Sequence, residues 1–330
     1  MSSSAPSPEL RDSLERVLPE ALGRCCRVSE VRRHPSPYQT SFGLEEVEVI
    51  FDDSERLGLL LKDLAWGALD AAGRMAKPAF LYDPLREIEV YRRLLAGADL
   101  GAPRYYGSVV DPERDRFWLF VEKVEGRELY QVGELGLWEL AARWLAMMHA
   151  RFADEVETHL AEARLVRHDA AYYRSWVERA REYAPRDRQR ALDRLASRYE
   201  GVVERLASLP ATVIHGEFYA SNVLVADGGR VAPVDWEVAG AGPGLVDLAA
   251  LATGWGPGER AALARAYEEA ARASGGPGVE GLEAGEALEL CRLHLAVQRL
   301  GWAPAGWSPP PEHRRDWLAE ALQIAEELGL

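Results

Sequence analysis

The chain has 330 residues, 48% hydrophobic and 28% charged, an ordinary globular composition at a length that suits two lobes better than one core. Its formal net charge is -14, from 39 basic and 53 acidic residues, which argues against nucleic-acid binding and suits either a cationic small-molecule partner or plain solubility. No apolar run approaches the roughly 18 residues of a membrane helix. Met1 to Pro8 is Ser/Pro-rich with no apolar signal core, and Cys25, Cys26 and Cys291 make neither a disulfide framework nor a zinc set. The expectation is a cytoplasmic protein, monomer or homodimer, with no nucleic-acid or membrane partner and a disordered tail over residues 1–8.

In chain order, Leu44 to Phe51 alternates through Val47, Val49 and Phe51 and predicts a strand. Asp52-Asp53-Ser54 then turns the chain into a second strand over Leu57 to Lys62. Asp83-Pro84 reads as a helix start, with Asp83 as cap, followed by a stripe of Leu85, Ile88, Tyr91, Leu94 and Leu95. Phe117 to Val124 is a short apolar strand ended by Glu125-Gly126. A helix over Leu137 to Phe152 presents Leu140, Trp144, Leu145, Met148 and Phe152 on one side. Residues 154–208 are charged and largely helical until Pro210. A strand, loop and hairpin follow from Thr212 to Asp235, and from Gly258 onward the chain is again mostly helical. The layout is a two-lobed α+β architecture, with residues 9–124 as a small mixed lobe ending in a connector and 125–330 as a larger helical lobe.

The chemistry concentrates between Val213 and Trp236. Asp227-Gly228-Gly229-Arg230 is a hairpin signal, because a two-residue turn needs positive φ at its central positions. Pairing about Gly228-Gly229 sets Asp227 opposite Arg230, Leu224 opposite Pro233 and Asn222 opposite Asp235. The last is then a non-bonded pair with Cα atoms about 4.5 Å apart and both side chains on one face. Two oxygen-bearing side chains so placed make a seat for a hard cation such as Mg²⁺. Glu217 stands five residues before Asn222, in the loop that leaves the strand at His215-Gly216. A carboxylate beside a metal seat can orient and deprotonate an attacking hydroxyl.

His215-Gly216-Glu217, then Asn222, then Val234-Asp235-Trp236-Glu237 resembles the catalytic and metal loops of the aminoglycoside phosphotransferase family, a branch of the protein-kinase-like fold. That family most often has Asp where this chain has Glu217. The resemblance runs over roughly residues 57 to 255. It implies a nucleotide lysine at Lys62 and a helix glutamate at Glu87. Glu89, a competitor, lies about 200° round the helix and would point to solvent. It also implies a hinge at Phe120 to Gly126, where the Glu122 carbonyl and Val124 amide would meet adenine, and a loop-bracing aspartate at Asp247. The phosphate-covering loop would lie near Pro35 to Phe42, which has one glycine; Ser36, Thr40 and Ser41 are its candidate phosphate contacts or ordinary turn residues.

What the resemblance implies is an ATP- and Mg²⁺-dependent phosphotransferase acting on a hydroxyl of a small molecule, an aminoglycoside or other cationic antibiotic among the options. Lys62, Glu87, Glu122, Val124 and Ser41 would hold the nucleotide, Asn222 and Asp235 the metal, and Glu217 would be the base. A nucleotide-binding pseudokinase, or a kinase for a sugar or amino alcohol, is the alternative. His149 reads as a packing and hydrogen-bonding residue, His215 as a brace for its loop, and Tyr172 and Trp176, at i, i+4, as core. By the resemblance Trp255, Trp302 and Trp307 fall where an acceptor pocket would be walled.

Overall fold

The computed structural model describes residues 8–38, 41–184, 186–276, 282–302 and 315–330. Residues 1–7 of the expected tail, Thr40 and Trp307 lie outside the described residues. Helix α1 (Pro8–Leu22) carries Leu10, Leu14 and Leu18 at four-residue spacing, one stripe that is fully buried. It lies on a five-stranded antiparallel sheet of order β1-β2-β3-β5-β4, made of β1 (Val28–Pro35), β2 (Leu44–Phe51), β3 (Arg56–Asp63), β4 (Tyr105–Asp111) and β5 (Arg116–Glu122). Val47, Val49 and Phe51 of β2 join the α1 leucines in a small core of their own, as their alternation requires. Where α1 crosses β4, Gly107 has φ 142°, and a Cβ there would stand 2.6 Å from Val17 Cβ. The helix can come this close to the sheet only because that position has no side chain.

Between β3 and β4 lie α2 (Ala71–Ala76) and α3 (Arg86–Glu89). Asp83 accepts the Leu85 N–H at 3.0 Å in a turn, but the α-helix begins at Arg86 with Leu85 at its N-cap and no side-chain cap, two residues later than the expected start at Asp83-Pro84. After one α-turn, however, the helix widens into a π-helical turn over Val90–Leu95. Ile88, Tyr91, Leu94 and Leu95 are buried, so the apolar stripe is kept although the helix type is not. β5 stops at Glu122, two residues short of the expected strand end at Val124, and a connector over 123–125 leads into the second lobe.

That lobe holds β6 (Gly126–Glu128), β7 (Val166–Arg167), β8 (Ala211–Ile214), β9 (Val223–Ala226), β10 (Arg230–Pro233) and β11 (Gly240–Pro243), in two three-stranded sheets of order β10-β9-β6 and β7-β11-β8. Helices α4 (Leu135–Arg151), α5 (Val156–Glu162), α6 (Ala170–Tyr183), α7 (Gln189–Ala196), α8 (Glu200–Ser208), α9 (Leu245–Leu251), α10 (Pro257–Ala273), α11 (Leu282–Gly301) and α12 (Trp317–Glu327) enclose them. α4 packs on α10, and α11 on α6, α9 and α12. Trp144, Leu145, Met148 and Phe152 are buried as expected, but Leu140 is 40% exposed. It falls about 20° round the helix from Met147, which is also exposed, and so on the opposite face from the core. Among the described residues no helix is long and apolar enough to cross a membrane.

The α1 crossing gives a direct test. Gly107→Ala forces a Cβ into Val17 and should cost about 1–3 kcal/mol of stability in urea unfolding. Gly58→Ala in β3, where a Cβ meets nothing within 4 Å, is the control. Equal midpoints for the two variants would contradict the close approach.

Candidate active site

The hairpin departs from its expected register by one residue. The turn is three residues long, Asp227-Gly228-Gly229, with φ of 73° and 78° at the two glycines. Arg230 therefore pairs with Ala226, Ala232 with Leu224 and Pro233 with Val223. The expected pairings Asp227–Arg230, Leu224–Pro233 and Asn222–Asp235 are corrected accordingly. A three-residue turn ending in a left-handed glycine competes closely with the two-residue turn, and adjacent glycines fit both. Asn222 now faces Val234, whose N–H donates to the Asn222 carbonyl at 2.9 Å. Asp235 follows with φ 67°, a left-handed conformation that aspartate tolerates better than most residues. Asn222 and Asp235 both line the interlobe cleft although they are not cross-strand partners.

At the inner end of that cleft Lys62 Nζ lies 2.7 Å from Glu87 Oε2 and 2.5 Å from Asp235 Oδ1. β3, α3 and the end of the hairpin thus meet on one ammonium. Burial alone would push Lys62 down, but Asp235, Glu87 and Glu237 outweigh it and hold the ammonium well above its ordinary range. Burial likewise opposes charge on Asp235, yet Lys62 keeps that carboxylate low. Burial pushes Glu87 up despite Lys62. Glu89 points away and pairs with Arg92 and Arg93. A second buried pair stands alongside, Lys77 Nζ to Glu237 Oε1 at 2.6 Å, with the other Glu237 oxygen buried and without a hydrogen-bond partner among the described residues. Both lysines flank the Phe42 ring, Lys77 at 4.8 Å and Lys62 at 5.6 Å from its centroid.

The rest of the cleft is an apolar slot. Leu44, Leu60, Leu119 and Val121 come from the sheet and Leu224 and Val234 from the hairpin, and the connector from Glu122 to Gly126 forms its rim. The Glu122 side chain is taken by Arg230, with both oxygens at 2.7 Å from the guanidinium, and β6 pairs with β9, so the hairpin straps both ends of the connector. Of the β1–β2 loop, Ser36, Tyr38 and Phe42 face the slot, whereas Ser41 turns its carbonyl to the Asp70 N–H at 3.1 Å and is not among the lining residues described.

The loop carrying Glu217 is fixed by a buried carboxylate. Asp247 accepts the His215 N–H at 2.7 Å and the Gly216 N–H at 2.9 Å, and His149 Nε2 lies 3.3 Å away, held in turn by Tyr267. Gly216 has φ 85°, and a Cβ there would sit 2.6 Å from the Val238 carbonyl oxygen. His215 Nε2 lies 2.9 Å from the Val234 carbonyl oxygen, which puts the proton on Nε2 and leaves Nδ1 to accept the Glu217 N–H at 3.3 Å. The Asn222 amide donates to the Glu217 carbonyl at 3.0 Å. The Glu217 carboxyl is largely removed from water, which pushes it up to about 7 against the opposing charge of Arg299, 3.6 Å away. Tyr172 and Trp176 are buried, as expected of core residues; Trp302 packs on Trp176 and Trp255 on Trp138.

The sequence assigns no site role to Lys77 or Arg299, and it names Arg230 only in the hairpin turn and Glu237 only within the Asp235 motif. Glu237 adjoins the Asp235 motif, but the other three meet partners far away in sequence and have no local signature. As a metal seat, the Asn222 and Asp235 side chains supply hard oxygen donors in the same cleft as a bound lysine. Among the described residues no group of three or more His, Cys, Asp or Glu could hold a metal by itself. The pair's donor chemistry would suit a Mg²⁺ that took its other ligands from phosphate and water.

The profile of the phosphotransferase enzyme family matches residues 74–288. No curated protein sequence gives a significant match. Among solved structures the chain is similar to a macrolide 2'-phosphotransferase type I, at 17% identity over 97% of this chain and 98% of that one, with a TM-score of 0.56. It is also similar to the GDP complex of a wild-type aminoglycoside 2'-phosphotransferase-IIIa, at 12% identity over 97% and 98% with a TM-score of 0.56. A third is an ethanolamine kinase of Plasmodium vivax, at 12% identity over 91% and 82% with a TM-score of 0.55. At these identities the likeness is one of fold, the two-lobed protein-kinase-like architecture.

The brace under the Glu217 loop is open to test. Asp247→Ala leaves two buried backbone N–H groups unpaired and should lower stability by about 2–4 kcal/mol. Amide exchange at His215 and Gly216 should accelerate more than in the preceding strand β8. Unchanged protection at those two amides would refute the brace.

Proposed function

The chain belongs to the phosphotransferase enzyme family, and on that premise we propose that it transfers the γ-phosphoryl group of ATP to a hydroxyl of a small molecule. The single observation that carries the reading is Lys62, held between Glu87 and Asp235 at the closed end of an apolar slot that reaches the connector. An ammonium buried there suits the α- and β-phosphates, with Glu87 keeping it in place. The apolar slot suits a purine, and the backbone of the connector, the Glu122 carbonyl and Val124 amide, suits its edge. Asn222 and Asp235 would hold Mg²⁺, which supplies neutralisation of phosphate charge when bound. Glu217 orients the acceptor hydroxyl and takes its proton, on a loop that Asp247 and His215 hold still. Most of the acceleration is positioning and charge neutralisation. The acceptor is proposed to be cationic, from the net charge of -14, with antibiotics such as those named for the macrolide and aminoglycoside neighbours the first to test and amino alcohols next. The protein is proposed to work in the cytoplasm as a monomer or homodimer.

The experiment is a panel of macrolides, aminoglycosides, amino alcohols and sugars with Mg·ATP and, separately, Mg·GTP, read by release of the nucleoside diphosphate. Nucleotide binding without turnover on any acceptor or on water would favour the pseudokinase reading. Lys62→Ala should weaken nucleotide binding in calorimetry or abolish turnover; an unchanged affinity and rate would show that the nucleotide binds elsewhere.

The pH dependence follows from burial of Glu217. A base must be ionised to accept a proton, so kcat/KM should be flat above about pH 7 and fall roughly tenfold per unit below it. Glu217→Gln should remove that limb and about 10²-fold or more of kcat. A wild-type profile still flat at pH 5 would remove Glu217 from the role.

A further inference from the structure

Glu217 stands where the resembling family most often has Asp. A glutamate carboxylate sits on one more rotatable bond and reaches about 1.5 Å further from the backbone. A base so mounted is useful only if something other than the backbone holds it, because a displacement of about 1 Å costs on the order of 10²-fold in a positioned reaction. The chain has a group in place to do this. Arg299, in the last turn of α11, is 9% exposed at its side chain and brings Nη2 to 3.6 Å from Glu217 Oε1. The guanidinium is not free to wander. Its Nε donates to the Tyr219 hydroxyl at 3.0 Å, and its carbon lies 4.0 Å from the centroid of the Tyr219 ring. Tyr219 is two residues beyond Glu217, so the arginine grips the loop and faces the carboxylate at once.

We propose that Arg299 is the positioning residue that makes a glutamate serviceable at this site, by holding the Glu217 carboxylate at the distance the longer side chain reaches; this rests on the reading of Glu217 as the base. The geometry favours positioning over mere cross-linking of α11 to the loop. Tyr219 alone would supply the cross-link, yet the guanidinium also presents a charged edge to Glu217. At 3.6 Å the pair is looser than the 2.7–2.9 Å of a tight charge-assisted hydrogen bond, so the attraction orients the carboxylate without consuming it. A shorter aspartate on the same backbone would end about 5 Å from Arg299, beyond that hold. The Glu217 arm and the arginine are therefore two halves of one adaptation, and each should be worth little without the other.

The test is a double-mutant cycle on the full chain with Mg·ATP, read by ADP release to water and to the best acceptor of the panel. Arg299→Gln should lower kcat by about 10²-fold while KM for ATP stays within about twofold, and Arg299→Lys should recover part of it. Glu217→Asp should cost a similar factor in the native background and add almost nothing in the Arg299→Gln background, a coupling that a remote structural role would not produce. Millimolar guanidinium chloride should raise the rate of Arg299→Ala. If Arg299→Gln unfolds, Tyr219→Phe serves in its place, since it removes the hydroxyl that aims the guanidinium and should slow kcat severalfold with ATP binding intact. Strictly additive losses, or full activity of Arg299→Gln beside an inactive Glu217→Gln, overturn the proposal alone. An unmodified chain that releases no ADP, or a fully active Glu217→Gln, overturns the reading of the base and the proposal with it.

Discussion

One ammonium joins the two lobes. Lys62 reaches Glu87 within the sheet lobe and Asp235 at the end of the hairpin, and all three groups are largely removed from water. Such an arrangement is poor as a source of stability, since desolvating three ionic groups offsets most of what their attraction returns. It makes sense as a site kept ready. With Lys77 and Glu237 beside them, two cations face three carboxylates, so the cluster is short of positive charge before any phosphate arrives. A triphosphate would deepen that deficit, and for the proposed reaction a divalent cation between Asn222 and Asp235 is what would restore balance.

The hard part of the design is to keep a charged cleft from rearranging, and the fold does this with backbone contacts. Asp247 ties α9 to the start of the Glu217 loop, His149 joins α4 to the same carboxylate, and His215 reaches across to the Val234 carbonyl. Arg230 and β6 bind the connector to the hairpin. Glu217 and Asn222 therefore hang from a segment whose backbone is tied at several points, a condition for holding a group to within a fraction of an ångström.

What was legible in the sequence is what local chemistry encodes. The β2 alternation and the two-lobe layout rest on periodicity and short-range geometry, and the structure has them; the helix start after Asp83 falls two residues later than expected, because Asp83-Pro84 makes a turn before the helix. The hairpin register was not legible, because Asp227-Gly228-Gly229 fits turns of two lengths. A slip of one residue would ordinarily turn every following side chain to the other face. Here the left-handed Asp235 follows the hairpin, so the pairing of Asn222 with Asp235 was misjudged, although both residues line the cleft. The π-turn was equally hidden, since Leu85 to Leu95 supports either helix type until packing decides. Arg299 lies 80 residues from Tyr219, and nothing near either position announces the contact.

The glycine-poor loop over the cleft follows the same economy. A glycine-rich loop meets phosphate with backbone amides, which needs a chain free to curl round the ligand. Between β1 and β2 some of that freedom is already committed. The Ser36 N–H donates to the Leu44 carbonyl at 2.9 Å, and the Tyr38 N–H to the Ser36 hydroxyl at 3.2 Å. The positive charge near the inner cleft is instead carried on side chains, Lys62 and Lys77, both close to the Phe42 ring. A lysine is a point charge on a flexible stem, and it keeps its place here only because each one is paired with a buried carboxylate. On the proposed function, phosphate recognition in this chain depends less on the shape of a loop than on two lysines held by ion pairs, of which Lys62–Asp235 and Lys77–Glu237 span the two lobes.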